Sequence, residues 1–492
     1  MNRLWTRLWA LSGAIICVRL FYSNQFDLLP DEAYYWTWSK ALQLGYLDHP
    51  PMIAWCIRFF TSWFGNTAIG VRACPIFLSA LSVMVLSHLA YQLYPSRTPI
   101  LTMYFLGHIV LVFAMGALIA TPDTPLIFYW SISLWALWKA TNEAKGWWWI
   151  CGLSVGCGLL SKYTMILFIP CSLLYLAMTP ERRLWLRRFE PYAALLLALM
   201  MFIPVLYWNH EHNWASFIYQ WSHGMGSNIF QLKTFGDFIG GQVLTSTPIL
   251  FIAICSFLYR QSRRAWVLAE EKPLFILSFS LPVFIFFGIA ASRNHIEANW
   301  PVCAYMSIFL GLSGEWSKET LAPMKLLLRK TWTMTLMVSV VGLSMMAHVV
   351  VLMPFWPLTP DLPFLSRIYG WREMAHETKS LVEDPPLLIP AFESYQMASE
   401  FQFYKGGDPW VYLGTLPKDH PMYRFRPTTA FPGKGSDLLL VMEGHPRRDL
   451  QDLFEKTVEL KPLVIQVKGR FVKFFSFTQC YNFIGVNGSV GP

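Results

Sequence analysis

Repeated apolar segments, each about as long as a bilayer is thick, dominate this sequence. We read about eleven of them, near residues 8–23, 67–93, 98–118, 124–140, 147–160, 163–178, 190–208, 242–259, 273–291, 300–314 and 331–353. A helix needs about 20 apolar residues to cross the hydrocarbon core of a membrane. Only 14% of the 492 residues are charged, whereas soluble proteins have about 25%. The sequence therefore predicts an α-helical polytopic membrane protein with about 11 to 13 spans.

Two regions leave alternatives open. Arg3 and Arg7 precede the first apolar segment, as in a signal peptide, but Arg19 interrupts that segment and no small-residue cleavage site follows it. We therefore expect an uncleaved first span. The segments 147–160 and 163–178 are short, and are expected to form either tilted helices or one hairpin broken around residues 161–163.

The basic residues predict the orientation, because loops rich in Lys and Arg stay in the cytoplasm. Alternate loops contain Arg97, then Lys139 and Lys145, then Arg182, Arg183, Arg187 and Arg188, then Arg260, Arg263 and Arg264, then Lys318, Lys325, Arg329 and Lys330. This pattern indicates a multi-pass membrane protein whose basic loops face the cytoplasm. It also explains the net charge of +9, so we expect membrane lipids and no nucleic acid as partners.

The residues suited to chemistry lie in the opposite set of loops, at 31–51, 120–123, 161–163, 209–241 and 292–300. These loops hold Asp31, Glu32, His49, Asp123, Lys162, His210, His212, Arg293, His295 and Glu297. Ionisable groups gathered at a membrane boundary indicate a functional site. We therefore expect one water-facing cavity at the outer face, suited to transferring a group from an anionic lipid head.

Such a transfer has two chemical requirements. A positioned carboxylate removes the proton of an acceptor hydroxyl as that hydroxyl attacks the anomeric carbon of a sugar. A Lys, an Arg or a divalent cation stabilises the charge on the departing phosphate. The adjacent carboxylates of Asp31 and Glu32 fit the first requirement, unless they are a solvated loop pair. Lys162 and Arg293 fit the second, although a lysine between two apolar segments also occurs simply as a snorkelling residue.

Four motifs carry a family resemblance. They are DEAYYWTWSKALQLGYLDHPPMIAW at 31–55, TPDTPL at 121–126, LLSKYTM at 159–165 and RNHIEANWP at 293–301. Together they resemble the PMT-like and ArnT-like glycosyltransferases of bacterial inner membranes. These enzymes belong to the GT-C class, and are similar to protein O-mannosyltransferases and lipid A aminoarabinose transferases. The resemblance covers roughly the first 350 residues, and the DE and DHPP sequences are its most specific part.

The resemblance implies a polyprenyl-phosphate sugar as donor, transfer with inversion, and a catalytic acidic residue in the first outer loop. Asp31 matches that position, with Glu32 beside it, and Asp123 matches the second acidic residue of the family. Lys162, Tyr163 and Arg293 are then expected to bind the donor phosphate. The acceptor is expected to be lipid A or lipopolysaccharide, another glycolipid, or a protein hydroxyl.

A divalent metal ion is a further alternative, because some relatives bind one at the outer face through Glu and His. His49, His295 and Glu297 are available here as contacts for a metal or an acceptor. The chain has no HxxxH or similar ligand spacing, however. His49 precedes Pro50 and Pro51, so it either contributes to the site, as we favour, or caps the turn that these prolines set.

Other features of the outer loops have simpler interpretations. The aromatic residues at 34, 35, 36 and 38 either stack on a sugar or anchor a helix in the interface, and we favour anchoring for most of them. The segment 52–64 is expected to be an amphipathic helix on the outer leaflet. His210 and His212 are expected to form a solvated turn rather than a metal pair.

Beyond about residue 358 the composition becomes more polar, and Pro357, Pro360 and Pro363 suggest a linker. We expect a transmembrane domain over 1–357 and a small periplasmic α/β domain over 358–492. Its predicted strands are LLIPAF and DLLLVMEG, its helices SYQMASEFQFYK and RDLQDLFEKTVE, and its closing hairpin LVIQVKGRFVKFFSF. It serves either as a structural cap or in acceptor recognition.

The main alternative function is transport of a lipid or a sugar. A transporter predicts ionisable groups in the middle of spans, whereas here they concentrate at span ends, with Arg19 and Arg72 as the main exceptions. A non-catalytic scaffold is the third possibility. The sequence has no P-loop or Rossmann glycine pattern, so the energy for transfer is expected to come with the lipid-linked donor.

Overall fold

A computed structural model of the protein describes residues 1–225, 229–317, 363–383, 388–406, 411–412, 433–467 and 469–484. Through residue 317 the described chain is helical. Its α-helices are α1 (Asn2–Ser23), α2 (Pro30–Lys40), α3 (Met52–Phe64), α4 (Ala68–Leu93), α5 (Arg97–Ile109), α6 (Leu111–Gly116), α7 (Asp123–Asn142), α8 (Trp147–Leu159), α9 (Phe168–Met178), α10 (Phe189–Glu211), α11 (Ala215–Met225), α12 (Leu232–Ser246), α13 (Pro248–Leu268), α14 (Glu271–Ser278), α15 (Leu281–Ala291) and α16 (Val302–Ser317). Two 3₁₀ helices, Tyr163–Leu167 and Pro180–Arg187, flank α9.

The described part of the C-terminal region combines four helices with a six-stranded sheet. The helices are α17 (Pro363–Ile368), α18 (Trp371–Glu383), α19 (Tyr395–Lys405) and α20 (Arg448–Gln451), and the strands are β1 (Ile389–Phe392), β2 (Val411–Tyr412), β3 (Leu438–Glu443), β4 (Phe454–Glu459), β5 (Leu463–Val467) and β6 (Arg470–Phe483). Strands β2, β1 and β3 are parallel, and β6 pairs antiparallel with β3, β4 and β5. The apolar run of β3 is buried on both faces, as expected of a central strand.

The chain divides into two compact units that are both discontinuous in sequence. The first consists of residues 1–20, 43–56 and 72–346, and the second of residues 21–42, 57–71 and 347–492. The second unit therefore contains the helix α2 as well as the sheet. In this unit α2 packs against α19, with the rings of Tyr34 and Tyr395 4.8 Å apart and those of Trp36 and Phe403 5.0 Å apart.

Four described helical segments are long and apolar enough to cross a membrane. They are α1, α4, α10 and the continuous stretch Glu271–Ala291. The number rises to six if two bent pairs each count as one span, namely Tyr163–Met178 with Pro180–Arg187, bent by 118°, and Leu232–Ser246 with Pro248–Leu268, bent by 104°. The predicted class, a polytopic α-helical protein with a small C-terminal α/β region, is therefore confirmed.

Several predicted spans differ in detail from the helices. The predicted span 98–118 is two helices that meet at Val110, which has an extended backbone with ψ 130°. The predicted span 242–259 contains the bend between α12 and α13, where Thr247 has a φ of +73°. The predicted span 331–353 and the predicted domain boundary at 357 lie outside the described residues, so the full span count and the division 1–357 and 358–492 stay predictions.

Close packing of α7, α8 and α10 determines where their ends lie. A Cβ atom on Gly152 would lie 2.5 Å from the carbonyl oxygen of Ala194, so only glycine lets α8 approach α10 this closely. The hydroxyls of Ser133 and Ser154 form a 2.8 Å hydrogen bond between α7 and α8. Because these helices run antiparallel, this contact places the start of α7 beside the end of α8.

One predicted helix of the C-terminal region is largely a strand. In RDLQDLFEKTVE only Arg448–Gln451 is helical, and Phe454–Glu459 forms β4. The second half of this segment, FEKTVE, follows neither the helical nor the alternating pattern, so its sequence alone does not decide between the two states. Pairing of β4 with β6, for example Thr457 with Cys480, decides for the strand. The remaining predicted strands, the helix at 395–405 and the closing hairpin are confirmed.

Candidate functional site

A buried ion pair lies where α7 begins and α8 ends. The ammonium of Lys162 donates to Oδ1 of Asp123 over 2.7 Å. Asp123 is the first residue of α7, and Lys162 directly precedes the 3₁₀ helix Tyr163–Leu167. Their side chains are only 12% and 10% exposed, respectively. Sequence positions 39 residues apart are thus joined at one end of the helix pair, as the predicted outer-face cavity requires.

The loop 292–300 completes this pair. The side-chain amide of Asn299 donates to Oδ2 of Asp123 over 2.8 Å. The ammonium of Lys162 also lies over the ring of Trp300, 5.7 Å from its centroid. Both carboxylate oxygens of Asp123 therefore accept a hydrogen bond, one from a cation and one from a neutral amide. We call Asp123, Lys162, Asn299 and Trp300 the carboxylate–lysine cluster.

The electrostatics of this cluster explain why both charges are retained. A charge out of water is strongly destabilising unless it is paired and hydrogen-bonded. Asp123 gains from Lys162, from Asn299 and from its place in the first turn of α7, where the helix dipole favours an anion. An ammonium has three donor hydrogens, and its described hydrogen bond uses one of them. The cluster can therefore offer donors to an anionic group without losing its internal pair.

Tyr163 directly follows Lys162 of the cluster in sequence, and it contacts the helix α11. The hydroxyls of Tyr163 and Ser216 form a 2.7 Å hydrogen bond, and the ring of Tyr163 packs on that of Phe217 at 5.3 Å. The backbone N–H of Met52 donates to the carbonyl of Leu160 over 2.9 Å. The turn 46–52, residue Tyr163 and the predicted outer loop 209–241 are thus connected to the same end of the helices.

Asp48 also takes part in these contacts, although it was not among the candidate residues predicted from the sequence. It is 9% exposed, and its carbonyl accepts a 2.5 Å hydrogen bond from the amide of Gln220. Burial and the Asp48 carboxylate, to which the Tyr219 hydroxyl donates, raise the pKa of Tyr219. The DHPP sequence thus contributes its aspartate to the contact with α11, and this motif was the only sequence signal for it. The neighbouring His49 is half-buried, and its carbonyl accepts from the N–H of Tyr46 over 3.1 Å.

The remaining candidates of the first unit are more exposed. Arg293 is half-buried and forms no ion pair with the part of the chain that is described. His295 and Glu297 lie 3.6 Å apart with side chains 67% and 65% exposed. His212 stacks on Trp208 at 4.0 Å, while His210 is exposed beside Glu211 at 3.5 Å.

These residues do not assemble a metal site. In the described ranges, no three His, Cys, Asp or Glu side chains lie close enough together to hold a metal ion. His295 and Glu297 supply two neighbouring groups, whereas a protein metal site usually needs at least three ligands. We therefore assign no step of the reaction to a metal.

Asp31 and Glu32 belong to the second unit, in the first turn of α2. Asp31 has a side chain that is 44% exposed, with Oδ2 3.7 Å from the guanidinium of Arg367. Glu32 is fully buried, and its Oε2 accepts a 3.0 Å hydrogen bond from the backbone N–H of Leu29. Glu32 thus caps the start of its own helix, while the carboxylate of its neighbour remains accessible to solvent.

A second acidic junction in this unit was not predicted. Oδ2 of Asp27 accepts from the backbone N–H groups of Trp371 and Arg372 at 3.1 and 3.4 Å, at the start of α18. Oδ1 accepts from the hydroxyl of Tyr404 at 3.3 Å. Asp27 is 344 positions before Trp371, and no local pattern reports a contact at that separation. The residues Asn299 and Trp300 were also missed, although they stand inside the quoted motif at 293–301.

Comparison with known proteins identifies relatives of this chain. Residues 48–208 match the family described as dolichyl-phosphate-mannose-protein mannosyltransferase. The lipid A galacturonosyltransferase RgtD of Rhizobium johnstonii is 28% identical over 291 residues, which cover 57% of this chain and 59% of that protein. An undecaprenyl phosphate-alpha-4-amino-4-deoxy-L-arabinose arabinosyl transferase of Pseudomonas paraeruginosa is 30% identical over 228 residues, or 42% of this chain and 40% of that protein.

Solved structures show the same fold over a longer stretch. ArnT from Cupriavidus metallidurans superimposes with a TM-score of 0.67 in the apo state and 0.64 when bound to undecaprenyl phosphate. The sequence identities are 15% and 16%, and both comparisons cover 96% of this chain and 98% of ArnT. The chain thus shares the ArnT fold.

The aligned sequences cover only part of the curated relatives, about three fifths of RgtD and two fifths of the Pseudomonas transferase. The apolar helices, together with these relatives, indicate a multi-pass protein of the inner membrane. The resemblance predicted from the four motifs is confirmed, because residues 48–208 match that family and the chain is similar in sequence to RgtD and in fold to ArnT.

Proposed function

We propose that this protein is an integral-membrane glycosyltransferase that moves a sugar from a polyprenyl-phosphate carrier to an acceptor at the periplasmic face. The observation that carries this proposal is the carboxylate–lysine cluster, a shielded cation and carboxylate at the ends of α7 and α8 in a chain of ArnT fold. Such a cluster suits the stabilisation of a departing phosphate.

The names of the relatives favour a particular donor and acceptor. ArnT has been solved with undecaprenyl phosphate bound, and RgtD is named for its action on lipid A. We infer that this chain also uses an undecaprenyl-phosphate sugar, and that lipid A or a related glycolipid is its acceptor. A protein hydroxyl is the second candidate acceptor. The transfer assay distinguishes the two acceptors.

The proposed reaction is a single inverting displacement. The acceptor hydroxyl oxygen attacks the anomeric carbon of the sugar, and the bond from that carbon to the carrier phosphate oxygen breaks. The hydroxyl proton passes to Asp31, acting as general base. The solvent accessibility of the Asp31 carboxylate supports this role, and Glu32 supports it by fixing the first turn of α2.

The polyprenyl phosphate leaves with an additional negative charge. Lys162 offers the donor hydrogens that its bond to Asp123 leaves available, and Arg293 is a second, half-buried cation. Asp123 orients Lys162, and Tyr163 lines the same end of the helices with its hydroxyl on Ser216. His49, His295 and Glu297 are proposed as acceptor contacts. The C-terminal domain, residues 358–492, is proposed to lie in the periplasm.

A transfer assay with the full chain tests this proposal. Membranes containing the protein are incubated with undecaprenyl-phosphate sugars labelled in the sugar, and with lipid A. We expect label in lipid A and release of undecaprenyl phosphate. Label that crosses the bilayer still attached to its carrier would instead establish a transporter. Label found in protein rather than lipid A would identify the second candidate acceptor.

A further inference from the structure

An apolar groove runs along α8, α9 and α10 on a surface that the proposed reaction does not use. Residues along its length include Trp148, Cys151, Phe168, Leu176, Leu186 and Ala198. The 3₁₀ helix Pro180–Arg187 contributes Leu186 at one end. Leu173 and Tyr192 also line the groove and are about half exposed, so the groove opens to the surroundings of the helices.

The end of the groove at Pro180–Arg187 lies far from the carboxylate–lysine cluster. The guanidinium of Arg182, in this 3₁₀ helix, donates to the carbonyl of Thr141 over 2.6 Å. Thr141 is at the end of α7, and Asp123 is at its beginning. The 20 residues of α7 extend about 30 Å, which is about the thickness of the hydrocarbon core. This end of the groove therefore faces the other leaflet.

Two arginines stand at this end of the groove. Arg187 and Arg188 directly follow Leu186, both are exposed, and neither forms an ion pair with any residue in the described ranges. The Arg188 guanidinium lies 4.7 Å from the ring centroid of Trp185, which in turn lies 5.5 Å from that of Trp148 in the groove. Arg182, by contrast, is paired with Glu271 at 2.6 Å.

We propose that this groove binds one phospholipid with an anionic headgroup, in the leaflet opposite the candidate site. An acyl chain fills the apolar groove, and the phosphate lies between Arg187 and Arg188. Charge complementarity supports this occupant, because two unpaired arginines at the mouth of an apolar groove match a negative headgroup on an apolar chain. A zwitterionic phospholipid carries a cation beside its phosphate, so its headgroup has no net negative charge to attract the two arginines.

Native mass spectrometry of the detergent-purified full chain tests this inference. The protein is titrated with phosphatidylglycerol or with phosphatidylcholine of the same acyl chains. We expect one phosphatidylglycerol to bind in preference. Replacing both arginines, R187Q with R188Q, should weaken its binding by about thirtyfold, because each arginine near a headgroup contributes roughly a factor of five.

The matched control removes two other exposed arginines, Arg3 and Arg7 on α1, and should leave the bound lipid in place. Equal retention of phosphatidylglycerol and phosphatidylcholine by the wild-type protein would overturn the proposal. Equal losses in the R3Q/R7Q and R187Q/R188Q variants would overturn it as well. Displacement of the lipid by undecaprenyl phosphate at lower concentration would reassign the groove to the carrier, and displacement by inorganic phosphate alone would show that the acyl chain contributes nothing. None of these readouts depends on transferase activity.

Discussion

The ion pair between Asp123 and Lys162 combines properties that single residues in the sequence do not reveal. The motifs TPD and SKY marked both residues as candidates for the outer face, which stays a prediction, and the structure joins them over 2.7 Å. Asn299 and Trp300 were not predicted, because an amide and an indole at a span end usually interact with the interface. The residue types were therefore predictable, but their pairing depends on how α7, α8 and the loop 292–300 pack.

Removing either partner of this pair alone should destabilise the protein. Asp123→Asn leaves a buried ammonium without its counter-charge, and Lys162→Met leaves a buried carboxylate, so each should lower stability by about 3 kcal/mol. The double variant should recover most of that loss, since it buries no unpaired charge. Thermal unfolding in detergent measures this, and the transfer assay of the same variants separates structure from function.

If Lys162 contacts the donor phosphate, the double variant stays inactive after its stability has recovered. Near-normal transfer by the stable double variant would remove Lys162 and Asp123 from the proposed reaction and leave the pair a purely structural role.

Lys473 in β6 is a buried cation of the second unit. Its ammonium donates to the carbonyl of Ser366 over 2.7 Å, lies 3.3 Å from the ring centroid of Trp371, and is 3.7 Å from the Glu443 carboxylate. Burial lowers the pKa of Lys473 to about 8, and Glu443 only partly offsets this. Below pH 8 the folded protein must therefore hold a cation that burial disfavours.

The pH dependence of stability should reflect this lysine. Between pH 8 and the ordinary lysine pKa near 10.4, the unfolded chain binds more protons than the folded one, so this residue makes stability rise with pH. Lys473→Met should remove that rise. The measurement is the difference in unfolding midpoint between the two proteins at pH 7.5 and 9.5. A difference that does not change with pH would show that Lys473 titrates normally.

At the scale of elements, most helices were predictable because apolar length alone identifies a membrane span. Helix breaks were harder to predict. The segments around Val110, Thr247 and Ser280 have no polar interruption long enough to end a span. At two of these breaks the local signal is a proline, Pro248 or Pro282, at the start of the next helix. The strand FEKTVE was likewise missed, because its pairing with the distant strand β6 decides its conformation.

The helix α2 offers a test of the two roles of Glu32. Its carboxylate accepts from the N–H of Leu29, and a glutamine keeps an acceptor oxygen at this position, whereas alanine does not. Glu32→Gln should retain stability, and Glu32→Ala should lose about 1 kcal/mol or more. Circular dichroism and thermal unfolding measure both.

Transfer by Glu32→Gln then decides whether the charge matters. Near-normal transfer assigns Glu32 to helix capping alone, whereas loss of transfer in a protein of normal stability assigns it to the support of Asp31.

At the scale of the whole molecule, the second unit draws on both ends of the chain. The sequence correctly indicated a small α/β region at the C-terminus, but it gave no sign that residues 21–42 belong to the same compact unit. Contacts between Asp27 and α18, and between α2 and α19, hold this unit together. A boundary drawn from composition alone separates segments that fold together.

Asp27 should therefore control the stability of this unit. Asp27→Ala leaves two backbone N–H groups at the start of α18 without their acceptor, and each such loss is worth about 1 to 3 kcal/mol. Hydrogen exchange of residues 371–383 should be faster in this variant. Asp452→Ala, an exposed aspartate in the same unit, is the control and should exchange at the wild-type rate. Unchanged protection of α18 in Asp27→Ala would contradict the assigned role.

The central claim, that this chain transfers a sugar outside the cytoplasm, is tested most directly by mass spectrometry of envelope glycolipids and glycoproteins. A deletion strain is compared with the same strain carrying the wild-type chain, Asp31→Asn or the control Asp452→Asn. We predict a lipid A species heavier by one sugar residue with the wild type and the control, and its absence with Asp31→Asn and in the deletion. Identical glycolipid and glycoprotein masses in all four strains would contradict the claim.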